Sequence, residues 1–332
     1  MGHTVSNFSD QYGLALYRKS ILARGYRKLT KRLIESHRLK HAIALIKAAE
    51  ESNPHIIIIL KGLYIGVRDV LALKQTGAWV VNLCHDDFFS LNRNNWTMLQ
   101  RAALPAYDFI FTTRQVNVDE VRHLNTNVEF LPFAYYPRIH HPVEIPTGER
   151  NVWCTDVSFV GTWEKERCQL LETLVRSVPA KYGIWGSQWE KVSRKSPLLP
   201  FIRQEIWMTD MAKAIAGAKI SLAFLRKQNR DDYTQRTFEI PACNGVFLAE
   251  RTTTHQSLYR EGTEAEFFNP DRPEELIDKV QLLLGDYSHR ESIRKAGREA
   301  LNNQRHTYKD RLERLLQLHS RSTGLRRSWD HS

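Results

Sequence analysis

The stretch VSFVGTWEKERCQLLETLVRSVPAKYGIW, residues 157–185, decides the fold. Val157–Val160 is a short apolar strand, Gly161-Thr162 turns the chain, Glu164 to Arg176 has a helical pattern, and Tyr182–Trp185 is a second strand. Strand, helix and strand at this spacing form a crossover unit, which makes parallel pairing the expectation.

The same alternation runs in both directions from this unit. Towards the C-terminus, strands are expected at Ile220–Phe224, Val246–Ala249 and Ala265–Phe268. Helices are expected at Met211–Ala218 and Pro273–Leu284, with a helical tail from His289 to about Leu318. Towards the N-terminus, His55–Leu60, Trp79–Cys84, Phe109–Thr113 and Val128–Leu131 are short apolar runs with room between them for helices. The β-branched run at Ile56–Ile59 reads as a buried parallel strand. PRIHHPVEIPTGER, residues 137–150, has three prolines and no periodicity, as a linker does.

The expected organisation is therefore two consecutive α/β, Rossmann-like domains. The first spans 1–136 on the acceptor side, a linker spans 137–152, the second spans 153–318, and a polar tail spans 319–332. The first domain is short at its front. Gly2–Phe8 resembles the second strand of a Rossmann unit, so either the first strand is missing or the domain is built differently.

The 332 residues are 42% hydrophobic and 26% charged, which is a globular composition. The longest aliphatic run, Ile56–Leu60, is far shorter than the ~20 residues that span a bilayer. The start lacks the basic and apolar regions of a secretory signal. Cys84, Cys154, Cys168 and Cys243 form no CxxC pair, so neither a zinc site nor a disulfide framework is expected. A reduced, cytoplasmic setting is the default that follows.

The net charge of +11 points to an anionic partner: nucleic acid, a membrane surface or a phosphorylated small molecule. Between Arg18 and Lys40 nine Lys/Arg face one acid, Glu35, with Leu22, Leu29, Leu33 and Ile34 interleaved. This stretch reads as a helix with a solvated outer face, or as a peripheral contact with the inner face of a membrane or a polyanionic acceptor.

In open α/β sheets ligands sit beyond the carboxyl ends of the strands. Gly161 and Thr162, after a strand and before a helix, can present backbone N–H groups to a phosphate, and Arg167 can add a charge-assisted contact. A strand-to-helix turn that needs a glycine is the ordinary structural alternative. Trp185-Gly-Ser-Gln-Trp189 can wall a base or sugar pocket, with core packing as the alternative for Trp185. In RDDYTQRTFEIPACNG, residues 230–245, Glu239 can accept from a pair of ligand hydroxyls and Arg236 can hold a phosphate bidentately. A helix-end ion pair between the two is the alternative. In the first domain Asp86 and Asp87 follow a strand; either carboxylate can orient or deprotonate an acceptor hydroxyl, or cap a turn. Lys61 and Arg114 are further residues at strand ends, and His306 suits a capping or packing role.

The run RTFEIPACNGVFLAERTTTHQSLYREGTEAEFFN (236–269), with SFVGTWEKERCQLLETL before it and HTYKDRLERLL after it, resembles the CgeB-like glycosyltransferases. IIIILKG, CHDDFFS, YDFIFTT and LPFAYYP extend the resemblance into the first domain. It implies a GT-B fold with two Rossmann-like domains facing across a cleft, and transfer of a sugar from a nucleotide-sugar donor without an obligatory metal. No cofactor is implied beyond that donor substrate. In relatives with an E-x7-E signature the second Glu binds the donor ribose and matches Glu239; the first approaches the transferred sugar and falls on Asp231, a departure from Glu. Those relatives imply retention of anomeric configuration. The acceptor is open: a glycan, lipid-linked glycan, protein or nucleic acid. The alternatives are a nucleic-acid-associated protein, on the charge, and a non-catalytic GT-B-like binding protein, on the short front.

Overall fold

Alternating apolar runs and helical stretches become two all-parallel sheets in the computed structural model, which describes residues 2–8, 27–91, 95–322 and 324, without the side chains of 27–37. The chain divides into two units, Met1–Pro132 and Phe133–Ser332.

The first unit runs α1 (Arg27–Ser52), β1 (Ile56–Leu60), α2 (Val67–Lys74), β2 (Trp79–Cys84), α3 (Met98–Ala103), β3 (Phe109–Thr112), α4 (Gln115–Arg122) and β4 (Val128–Phe130). Its sheet order is β1-β2-β3-β4. Val70 and Leu73 of α2 pack with Val80, Cys84 and Ile110 of the sheet and Val118 and Val121 of α4. The first strand is not the buried strand its composition suggests. It lies at the sheet edge, with Ile58 37% and Leu60 65% exposed. Residues 2–8 are irregular and exposed rather than a strand. The basic stretch is helical from Arg27; its residues 18–26 lie outside the described residues, as does the end of the polar tail.

The second unit runs α5 (Arg150–Trp153), β5 (Thr155–Val160), α6 (Lys165–Ser177), β6 (Tyr182–Trp185), α7 (Met208–Ala216), β7 (Ala218–Ala223), α8 (Arg236–Ala242), β8 (Phe247–Glu250), α9 (Thr253–Leu258), β9 (Glu266–Phe268), α10 (Pro273–Gly285), α11 (Tyr287–Asn302) and α12 (Tyr308–Ser322). The sheet order is β6-β5-β7-β8-β9. Strand order reverses between β5 and β7, so the crevice for a ligand opens beyond their carboxyl ends.

Alternate residues of β5 feed opposite sides of this sheet. Val157 and Phe159 pack with Leu171 and Leu174 of α6 and Leu276 and Val280 of α10. Val160 packs on the other side with Trp185, Met211, Ile215 and Ile240. Ser158 and Ser221, paired in register on β5 and β7, satisfy each other through a 3.0 Å hydroxyl contact.

The expected linker is largely part of this unit. His140 is buried, Val143 and Ile145 pack on the second core, and Trp153 stacks on Trp185 with centroids 6.0 Å apart. Tyr135 bridges to Thr307, which lies between α11 and α12, the two helices of the expected helical tail.

Candidate donor site

The turn after β5 is knitted to the turn after β6. The Gly161 N–H donates to the Trp185 carbonyl (2.8 Å), and the Trp163 N–H donates to the Ser187 carbonyl (2.9 Å). Trp189 Nε1 donates to the Gly161 carbonyl at 3.0 Å. Gly186, at φ +146°, lies so close that a Cβ there would sit 2.0 Å from the Gly161 oxygen. Only glycine fits. The Gly161 amide is therefore committed to the neighbouring turn, which leaves the Thr162 amide as the one that can meet a phosphate.

Arg167 takes a different part from the one its position suggests. It is 6% exposed, donating from Nη1 to the Thr162 carbonyl (3.1 Å) and from Nη2 to the Phe224 carbonyl (3.2 Å). It clamps the ends of β5 and β7 together from beneath, and burial pushes its pKa down despite Glu164 beside it. Trp185 is likewise a core residue, 1% exposed and stacked on Trp153, so it walls no pocket.

The short helix α8 starts at Arg236. This first turn carries the ion pair. Arg236 Nη1 donates to Glu239 Oε2, and Arg236 Nε donates to the Val160 carbonyl (3.2 Å) at the end of β5. The helix-end alternative thus describes the geometry, and Arg236 also reaches the switch point of the sheet. Glu239 is 4% exposed, and its other oxygen lies 3.6 Å from His140 Nε2. His140 Nδ1 accepts from the Tyr136 N–H at 3.0 Å, which places the ring proton of the neutral form on Nε2, facing the carboxylate. Burial lowers the His140 pKa, outweighing the pull of Glu239. Sequence reasoning missed His140 because it falls in the proline-rich stretch.

Asp231 follows Arg230, which adopts φ +51°, and its N–H donates to the Arg226 carbonyl at 3.3 Å. Its neighbour Asp232 is structural, accepting from Thr254 Oγ1 at 2.6 Å. The chain leaves α8 through Asn244, which adopts φ +60°. Gly245 is there for packing, since its Cβ would lie 2.6 Å from Ile215.

Behind α8, His255 is fully buried. Its Nδ1 donates to the Glu250 carbonyl (2.7 Å), and its Nε2 accepts from Thr237 Oγ1 (2.9 Å). Burial lowers its pKa to about 4, against the ordinary 6.5. The folded form resists a proton that the unfolded chain accepts, so the contribution is complete above about pH 6.5 and fades towards pH 4. Urea denaturation is expected to show up to about 3 kcal/mol less stability at pH 4 than at pH 7 from this group.

In the first unit the carboxyl ends of β1, β2 and β3 gather Lys61, His85, Asp86, Asp87 and Arg114. Asp86 pairs with Lys61 at 2.5 Å. Asp87 is fully buried, accepting from the Phe89 N–H and Asn117 Nδ2, both at 2.8 Å. It takes the turn-capping place of the pair. Arg114 is 3% exposed and donates to the His85 carbonyl at 2.5 Å. His306 stacks over Phe238, centroids 4.6 Å apart, as a packing residue. Among the described residues no three His, Cys, Asp or Glu gather as a metal site, and no helix is long and apolar enough to cross a membrane.

Residues 165–317 match the family described as "Glycosyl transferase-like". The second unit carries a glycosyl transferase-like domain. No curated protein matches the chain. Among solved structures, the sucrose-phosphate synthase of Thermosynechococcus elongatus aligns with a TM-score of 0.64 at 12% identity, over 91% of this chain and 80% of that one. HepE of Anabaena with UDP-glucose aligns at 0.62 and 10% identity, over 85% and 82% of the two chains. TarM of S. aureus, solved with UDP, α-GlcNAc-glycerol and fondaparinux, aligns at 0.63 and 10% identity; 84% of this chain covers 59% of that one. These likenesses establish the GT-B fold. The matched glycosyltransferase domain begins at α6 and takes in Arg167, Trp185, Asp231, Arg236 and Glu239; Gly161 and Thr162 immediately precede it. The narrower CgeB-like likeness rests on the quoted sequence runs.

Proposed function

We propose that the chain takes the sugar of a UDP-sugar and passes it, with retention and without a metal, to a hydroxyl acceptor. One observation carries this reading. The Arg236–Glu239 pair of α8 is held against the Val160 carbonyl, at the point where strand order reverses beside the Gly161-Thr162 turn. UDP or UDP-glucose in structures of HepE supports the choice of base.

The donor ribose hydroxyls donate to Glu239, and the diphosphate lies along Arg236 and the Thr162 amide. The bond between the sugar C1 and the β-phosphate oxygen breaks with its electron pair on that oxygen. The developing charge strengthens the contact to Arg236, so the pair favours the transition state over the bound donor. Asp231 is assigned to the transferred sugar. On the acceptor side Asp86 is assigned to the hydroxyl that attacks C1 and loses its proton. The basic stretch 18–40 is assigned to a polyanionic acceptor or an anionic headgroup surface on its charge alone. Release of UDP from UDP-sugars tests the site: activity that survives both Arg236→Ala and Glu239→Ala contradicts the assignment.

A further inference from the structure

With Trp185 buried, the aromatic at the ligand end of the second sheet is a different residue. Ile202 pairs in parallel beside Ile184 of β6, and the Arg203 N–H donates to the Ile184 carbonyl at 2.7 Å. The segment thus extends the sheet by one edge position and runs the same way as β6. Past Arg203 it leaves the carboxyl end, where β6 gives way to Gly186. Ile206 is 6% exposed and packs in the cluster that holds Trp185 and Met211. The next residue, Trp207, is 69% exposed and immediately precedes α7.

Two features separate Trp207 from a stray surface aromatic. Met208 is held at φ +53°, a conformation a non-glycine side chain rarely adopts, and Ile206 before the pair and Met211 three residues after it are anchored in the core. The backbone is thus fixed while the indole stays out in solvent. Aromatic faces flanking a ligand end of a sheet suit a flat heterocycle, because stacking needs no match of hydrogen bonds.

We propose that Trp207 is a nucleobase-stacking residue of the donor site, receiving the uracil of the nucleoside diphosphate beyond the end of β6. The inference rests on the donor reading above. The diphosphate is assigned to the end of β5, and β6, along which the Trp207 segment runs, is the neighbour of β5 in the sheet. Stacking tolerates any base, so Trp207 sets nucleotide affinity more than the choice among bases.

Calorimetric titration of the full chain with UDP, ADP and inorganic pyrophosphate tests it. Trp207→Ala is expected to weaken UDP and ADP by about 10- to 100-fold, Trp207→Phe by no more than about 3-fold, and neither to change pyrophosphate. UDP binding to Trp207→Ala as tight as to the wild type overturns the stacking role and leaves the donor site standing. A wild type that binds none of the three overturns both. Equal loss of UDP and pyrophosphate in Trp207→Ala also overturns the stacking role, because it shows damage to the whole site.

Discussion

Arg236→Ala is expected to lower the turnover of UDP-sugar hydrolysis or transfer by about 100- to 1,000-fold, the range seen when one preorganised donor to a developing negative charge is removed. The side chain is positioned before any ligand arrives, through Nε on the Val160 carbonyl and Nη1 on Glu239. Its guanidinium has further N–H donors for a phosphate, so the loss falls on turnover rather than only on donor affinity. Arg236→Lys should recover part of the rate, since lysine keeps the charge and loses the bidentate fork. Glu239→Ala removes the proposed ribose acceptor and should act mainly through donor affinity. A melting curve belongs with each variant, because Arg236→Ala leaves Glu239 buried beside His140 without its arginine partner. Loss of turnover with an unchanged melting temperature supports the site; full activity in both variants contradicts it.

Arg167→Met is expected to act on stability first. Its guanidinium is buried and donates to the Thr162 and Phe224 carbonyls, closing β5 and β7 beneath the proposed diphosphate position. Charge-assisted bonds of this kind contribute roughly 1.5–3 kcal/mol each, and Nε, buried without a hydrogen-bond partner, offsets part of that. A net loss of about 3 kcal/mol corresponds to a fall of about 6–12 °C in melting temperature for a unit of this size. A residue that gripped phosphate directly would show the opposite signature, normal melting and lost turnover. The same variant thus decides whether Arg167 holds the ligand or the loops under it.

Strand and helix alternation was legible from Ile56 onwards because each element keeps one period and each turn carries Gly, Pro or a polar run. The run 157–185 became β5, α6 and β6 within a residue or two at each end. Burial of individual side chains was less legible. Ile56–Leu60 has the composition of a central strand, yet no described strand pairs on its outer side, and strand order is a property of the whole sheet rather than of one run. Trp185 follows the period of β6 into the core, while the aromatic left outside depends on Ile202 adding a one-residue edge to the sheet. Nothing local in LLPFIRQEIW marks that edge.

The Arg236–Glu239 ion pair was legible as the alternative to a ligand site, since the two residues stand three apart at a helix start. The placement of Arg167 was not legible, because a charged residue near a strand-to-helix turn looks the same whether its tip points to solvent or beneath the loop. Asp87 differed from Asp86 for a similar reason: its partner Asn117 sits on α4, thirty positions away. His140 lay in a proline-rich stretch that packs on the second unit, and no periodicity marks a buried residue in such a segment.

Direct titration of the wild-type chain with UDP-, GDP- and dTDP-sugars by calorimetry tests the donor reading most closely. Saturable binding of a UDP-sugar, weakened in Glu239→Ala, is the expected result. No heat of binding with any of the three, from protein that melts cooperatively, would contradict it.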